Sequence, residues 1–293
     1  MSEILQYIFS GITNGSVYAA VAVGFTIIYS TTGVLNFAQG EFVMLGGMVA
    51  VSLAAFVPLP VAVGAAVLIV GLTGALLEFV FFRRLRRHSV LQMIVITIGL
   101  SIVIREVSLH IWDEQVRSLP FFTGRSVSSL HVFHASVSPQ VLWVLGTVAA
   151  AVTALYVGMR YSLIGRAMRA CASNPEAAQL SGVNLAGMRT LAFALSAALG
   201  ALAGCVTSPL TMTQYDMGTG LAIKGFAAAV LGGLGNPMAA VAGGLLVGLA
   251  ESFSVSVLPA AYKDATAFAI LILVLLVCPR GLFGARAVSL REC

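Results

Sequence analysis

The run Ile223-Lys-Gly-Phe-Ala-Ala-Ala-Val-Leu-Gly-Gly-Leu-Gly-Asn-Pro-Met-Ala-Ala-Val-Ala-Gly-Gly-Leu-Leu-Val-Gly-Leu-Ala-Glu-Ser-Phe-Ser-Val-Ser-Val257 is apolar almost throughout, yet too long for one straight membrane helix. At about 1.5 Å per residue it would exceed ~50 Å, against a hydrocarbon core of about 30 Å. It should break at Gly232-Gly233-Leu234-Gly235-Asn236-Pro237. Pro237 lacks an N–H and biases Asn236 away from helix, and the glycines let the backbone turn or another helix come close.

Similar apolar stretches recur at about 7–30, 37–57, 59–82, 91–112, 139–159, 190–210 and 263–279. Hydrophobic residues make up 59% of the 293 and charged ones only 9%, with a mean hydropathy of +1.00. An average soluble domain carries about 25% charged residues, so a soluble globular protein is excluded. The expectation is an all-α, polytopic integral membrane protein with about eight transmembrane segments, one or two of them broken or re-entrant, forming a single domain over 1–293. The N-terminus has no basic stretch ahead of its apolar segment and no processing site, so the first segment is expected to stay as a span.

The net charge of +5 comes from 14 Arg and two Lys against 11 acids. On such a chain a basic balance reports topology and not nucleic-acid binding. Arg83, Arg84, Arg86 and Arg87 cluster in one short loop, and Arg160, Arg166, Arg169 and Arg189 border another, so both loops are expected in the cytoplasm. The loop 113–138 between them, with balanced charge, then lies outside. Counting on through three plain spans would put Arg280, Arg286 and Arg291 outside as well, against the same rule. The conflict disappears if 223–257 enters and returns, or passes twice, around its Gly-Asn-Pro break. Irregular backbone at depth is tolerated only where protein or a water-filled cavity covers it.

A second interruption stands at Thr31-Thr32-Gly33-Val34-Leu35-Asn36-Phe37-Ala38-Gln39-Gly40-Glu41. Asn36 is expected to cap the following helix, with Gln39 reaching back to it. Glu41, an acid inside a span, is a functional candidate by its cost alone. Paired interruptions of this kind suit a transport path, whose candidate residues are Asn36, Gln39, Gly40, Glu41, Gly232, Gly233, Asn236 and Pro237. Arg105 and Glu106, adjacent and so on different helix faces, read as poor partners near an interface. Glu78 and Lys224 read as interfacial anchors, and Glu251 has no evident place. The spacings Gly200/Gly204 and Gly244/Gly248 allow close helix packing.

The loop 160–189 has helical grammar. Asn174 is a favoured N-cap, Pro175 fits the first helical position, Glu176 complements the helix dipole and Gly182 supplies a left-handed stop. A helix of about seven residues, 175–181, is expected, marginal by itself and in need of something to pack on.

Glu176-Ala177-Ala178 followed by Gly182 resembles the EAA-x-x-x-G signature of the permease subunits of bacterial ABC importers, although the Ile-x-Leu-Pro that often follows is missing. Gly15-Ser-Val-Tyr-Ala19, Asn36-Phe-Ala-Gln-Gly-Glu41, residues 165–184, Lys224–Gly235 and Pro279-Arg-Gly-Leu-Phe-Gly284 are together similar to the branched-chain amino acid permease family, over essentially the whole chain. The short chain is more like the smaller of that family's two permeases. The resemblance implies an ABC importer permease in a bacterial inner membrane, moving branched-chain or related amino acids delivered by a periplasmic binding protein. It implies partnership with two cytoplasmic ATPases and a second, related permease, and a coupling loop at 160–189 whose Asn174, Pro175, Glu176, Ala177, Ala178 and Gly182 engage the ATPases. Family members for urea and short amides share the same blocks.

No cofactor is expected in this chain. It lacks a Gly-x-x-x-x-Gly-Lys-Ser/Thr loop, so ATP would be bound by partner subunits. Cys171, Cys205, Cys278 and Cys293 have no metal-ligand spacing, and no Ser, His or acid constellation is assembled within spans, so neither a metal site nor an enzyme is expected. An ion-coupled secondary carrier is the runner-up. It would need no docking helix and would carry polar coupling-ion ligands at mid-span.

Overall fold

The computed structural model describes residues 2–83, 90–123, 130–132, 135–256, 259, 262–277 and 281–282. Helix α1 (Ser2–Thr32) is the spine of a helical bundle. It is apolar on every side and buried almost throughout, as a helix without a polar face must be. Packed on it are α2 (Gln39–Ala54), α8 (Leu185–Thr211), α9 (Met217–Gly232) and α10 (Pro237–Ser254). Helix α3 (Leu59–Leu77) lies along α2 and α8 and runs on as a π-helical turn, Glu78–Phe82. Helices α4 (Val90–Trp112) and α5 (Pro139–Tyr161) stand at the periphery with Ile98, Ile102 and Leu142 exposed, and α11 (Lys263–Val277) closes on α9 and α10.

Six of these helices are long and apolar enough to cross a membrane: α1, α3 with its π extension, α4, α5, α8 and α10. Helices α2 and α9 are apolar but only 16 residues each. The chain is therefore a multi-pass membrane protein, as its composition requires. One departure from the all-α expectation is a small antiparallel hairpin, β1 (Leu130–Val132) with β2 (Ala135–Val137), in the loop before α5.

Small residues set the helix spacing. Gly11 and Gly15 of α1 sit against Leu249 and Leu245 of α10, while Gly244 and Gly248 of α10 sit against Ala19 and Gly15. The two helices are thus antiparallel and nearly in backbone contact. Gly204 does the same for α8, where a Cβ would overlap the Val43 carbonyl oxygen of α2. Both GxxxG spacings are used for packing, which in lipid takes the place of a hydrophobic drive between helices.

The pairs across the bundle also fix direction. One end carries Arg83, Arg160 and Arg189, and the other carries the hairpin. The long apolar run 223–257 splits at the expected place: α9 arrives at the arginine end and α10 leaves it antiparallel, with Gly232 against Ala239 and Gly243 against Ala228. Gly233 and Gly235 take positive φ (+110° and +97°), and Asn236 Oδ1 caps α10 by accepting N–H bonds from Met238 (3.1 Å) and Ala239 (3.4 Å). The run thus folds back on itself at the break, α10 returning antiparallel along α9. After α11, Leu282 donates its N–H to the Leu231 carbonyl at 2.8 Å, so the tail returns to the arginine end. That settles the charge conflict for the tail, although Arg280, Arg286 and Arg291 themselves, like Arg84, Arg86 and Arg87, lie outside the described residues.

Candidate coupling and transport sites

Two short helices at the arginine end join α5 to α8. Helix α6 (Leu163–Ser173) is capped by Ser162, whose hydroxyl accepts the Gly165 N–H at 3.0 Å, and it buries Gly165, Met168 and Cys171. Arg169 turns back to donate to the Met159 and Arg160 carbonyls, covering the open C-terminal end of α5 with a cation, where the helix dipole favours one. Helix α7 (Pro175–Leu180) follows directly. Asn174 Oδ1 accepts the Ala177 N–H at 3.0 Å, and Pro175 occupies the first turn, as the sequence requires. Gly182 has φ +84°. Its N–H goes to the Gln179 carbonyl and that of Val183 to the Ala178 carbonyl, each at 3.0 Å, the paired bonds of a Schellman stop.

Within α7 only Ala178 is buried, and Glu176, Ala177, Gln179 and Leu180 are exposed, Leu180 at 90%. Asn184 then caps α8 by accepting the Gly187 N–H at 3.0 Å. The six expected residues, Asn174, Pro175, Glu176, Ala177, Ala178 and Gly182, are thus gathered into one small, rigidly capped and outward-facing helix. A cleft of about 930 Å³ opens beside it between the ends of α1, α5 and α6 and the start of α10, with Ser30, Thr32, Arg160, Arg169, Gly235 and Pro237 among its walls.

The second interruption re-enters the bundle. From Thr32 the chain climbs back as non-helical backbone, so that Gln39 is level with Gly24 of α1 and Ser196 of α8. The expected capping box does not form. Asn36 Oδ1 accepts the Ala38 N–H at 3.1 Å in a tight turn ahead of α2. The Gln39 amide is instead drawn to α8, donating to the Ser196 carbonyl at 3.1 Å while its Oε1 lies 2.6 Å from the Ser196 hydroxyl. A tertiary partner at mid-depth, where no water competes, outweighs the local reach-back. Glu41 is fully buried, and its Oε1 accepts from Ser101 (2.8 Å, α4) and Thr219 (3.3 Å, α9). Gly40 faces Gly218 and Ala222 so closely that a Cβ would overlap the Gly218 carbonyl oxygen.

The two interruptions are therefore not brought together. Residues 36–41 sit at mid-depth inside closed packing, whereas Gly232, Gly233, Asn236 and Pro237 form the turn at the arginine end.

Three charge placements differ from the sequence reading. Glu78, expected as an interfacial anchor, is fully buried, accepting the Thr190 hydroxyl and lying 3.7 Å from Arg189 of α8. Arg105 and Glu106 do approach, at 3.7 Å, because long side chains on a half-exposed helix face can wrap toward each other. Lys224 is no anchor either: its Nζ lies 2.9 Å from Glu251 and 2.6 Å from Asp264, and Lys263 reaches the same Glu251 oxygen at 3.2 Å. The signal for this last group was present, since a buried charge within a helix calls for a counter-charge, and Glu251 and Asp264 lie on the two helices that follow Lys224's own and pack on it. Cys171 and Cys205 are buried free thiols. Burial pushes the Cys171 thiol above its ordinary value, toward the unreactive form.

Comparison with known proteins adds the following. The family described as branched-chain amino acid transport system / permease component matches residues 7–275. The chain is 38% identical to the high-affinity branched-chain amino acid transport system permease protein LivH of Salmonella typhimurium, covering 96% of this chain and 95% of that one. It is 36% identical to LivH of Escherichia coli K12, with the same coverage of both chains. Identity to BraD of Pseudomonas aeruginosa, which bears the same description, is 35%, again over 96% of this chain and 95% of the relative.

Proposed function

Because the chain belongs to the branched-chain amino acid transport permease family, we propose that it forms the translocation path of an ABC importer for branched-chain or related apolar amino acids in a bacterial inner membrane. A periplasmic binding protein delivers the solute, two cytoplasmic ATPases supply the drive and a second, related permease completes the pore. ATP is handled by those partner subunits, and residues 1–293 act as one transmembrane domain.

The observation that carries this reading is α7. A six-residue helix with both ends capped and nearly every side chain outside the bundle has no packing reason to exist by itself. A groove on an ATPase would bury it. In this proposal the loop 160–189 is the coupling loop, and movement of α7 passes into α8 through the Asn184 cap and into α5 through α6. The same proposal assigns the route to the two interruptions, with Asn36, Gln39, Gly40 and Glu41 as a wall that is shut in this conformation and Gly232, Gly233, Asn236 and Pro237 as the turn at the cytoplasmic mouth. Alternating access would then separate α2 from α8 and α9 around Gln39 and Glu41.

The test is uptake into proteoliposomes holding the permeases and ATPases, with binding protein added outside. Uptake should stop with vanadate and survive collapse of the ion gradient, with leucine, isoleucine and valine competing and urea or acetamide not. Uptake that persists with vanadate and dies with the gradient would instead make the protein an ion-coupled carrier.

A further inference from the structure

The chain has only two lysines, Lys224 and Lys263, and both converge on one buried carboxylate, Glu251. Lys224 also holds Asp264 and lies 3.3 Å from the Tyr18 hydroxyl. Glu251 Oε2 is buried and has no hydrogen-bond partner among the described residues. Such a group is a poor device for stability, because the cost of drying its charges rivals their attraction, and in membrane proteins buried charges mark solute and ion routes.

The two lysines do not face a sealed core. Lys224, Lys263 and Tyr18 line a cavity of about 300 Å³ at the hairpin end, walled on its apolar side by Val17, Met217 and Leu221. The lower bound for small-ligand pockets is about 300 Å³. A neighbouring cavity of about 280 Å³ shares Asn14, Val17, Thr207 and Thr211 with it and extends toward Gln6 and Ser10 near the start of α1.

Resting on the amino-acid reading above, we propose that this cavity is a solute subsite at the outer end of the path, in which Lys224 receives the α-carboxylate of an apolar amino acid. The charges suit an exchange. Lys224, Lys263, Glu251 and Asp264 sum to zero, and a zwitterion brings one charge of each sign. Its carboxylate takes the place of Asp264 on Lys224, and Asp264, 71% exposed, takes the solute's ammonium. No net charge enters the site, and the aliphatic side chain lies on Val17, Met217 and Leu221. The same chemistry disfavours amines that lack the carboxylate, since they would bring a third cation beside the two lysines.

A thiol reporter tests this. Gly220 lines the cavity and no described residue lies within 4 Å of where its Cβ would be, so Gly220→Cys fits without displacing one of them. In a cysteine-free background, within the assembled permease–ATPase complex in proteoliposomes, the thiol at 220 is labelled from outside with a small methanethiosulfonate. Saturating L-leucine should slow labelling at least tenfold, whereas isopentylamine, which keeps the side chain and ammonium but not the carboxylate, should slow it less than twofold. Adding Lys224→Gln should abolish the leucine effect, and Lys224→Arg should restore it.

No labelling, equal protection by the two compounds, or leucine protection that survives Lys224→Gln would each overturn the subsite. If Lys224→Gln does not assemble, the leucine and isopentylamine contrast in the parent protein decides. Leucine uptake is read in the same vesicles: uptake without protection removes only the subsite, and its absence with all partners present removes the amino-acid reading itself.

Discussion

Val183 donates its N–H to the Ala178 carbonyl at 3.0 Å, closing α7 across a glycine held at φ +84°. A β-branched residue at 182 would be strained there by about 1–3 kcal/mol, enough to fray a six-residue helix. Gly182→Val should therefore leave insertion and yield unchanged while lowering uptake more than tenfold with ATP hydrolysis still running. Glu176→Lys, which sets a cation against the positive end of the helix, should act in the same direction. Wild-type uptake and wild-type stimulation of hydrolysis in both variants would refute the coupling role.

Leu180, exposed at 90%, is the apolar tip of that helix. If an ATPase groove covers it, Leu180→Asp should weaken retention of the ATPases on affinity-purified permease by at least tenfold. Thermal stability of the permease alone should not change, because the side chain touches little of its own chain. Loss of stability without loss of retention would place Leu180 in internal packing.

Glu78 and Arg189 tie the π-helical end of α3 to the first turns of α8. Glu78→Ala strips a buried acceptor from Thr190 and the nearby counter-charge from Arg189, and a destabilisation of about 1–3 kcal/mol is expected. Glu78→Gln, which keeps the acceptor for Thr190, should recover part of it. Melting temperatures of the purified variants in detergent give the order directly: wild type highest, glutamine next, alanine lowest.

Gly40 is a contact residue first. Since even a Cβ would overlap the Gly218 carbonyl oxygen, Gly40→Leu should prevent assembly, separating α2 from α9. Gly220→Leu, on the same helix as Gly218 but with no described residue within 4 Å of its Cβ position, should assemble at near-normal yield. Size-exclusion profiles of the two variants make the comparison, and full assembly of Gly40→Leu would show that the α2–α9 seam is loose.

Sidedness follows from direction along the bundle. In a cysteine-free background, single cysteines at Ser173 and at Leu282 should label from the cytoplasm and one at Glu114 from outside. Leu282 labelling from outside would mean that 223–257 does not cross twice.

What the sequence determined by itself was whatever depends on neighbours along the chain. Membrane insertion follows from the density of apolar residues, and the split at Gly232–Pro237 follows from backbone chemistry that no packing can override. The caps of α7 are equally local, for Asn174 and Gly182 satisfy N–H and carbonyl groups within five residues of themselves. All three were legible before any contact was known.

The tertiary structure decided the choices between competing partners. Gln39 could turn back to Asn36 or cross to Ser196, and the crossing wins because at mid-depth a buried Ser196 carbonyl has no water to fall back on. Glu78 and Lys224 read as interfacial anchors and Glu251 had no evident place, because the partners lie at least 12 residues away along the chain and on other helices. Which charges meet depends on which helices are adjacent, and adjacency here is set by glycines meeting across α1, α10, α2 and α8. A single sequence shows those glycines, but not which face each of them finds.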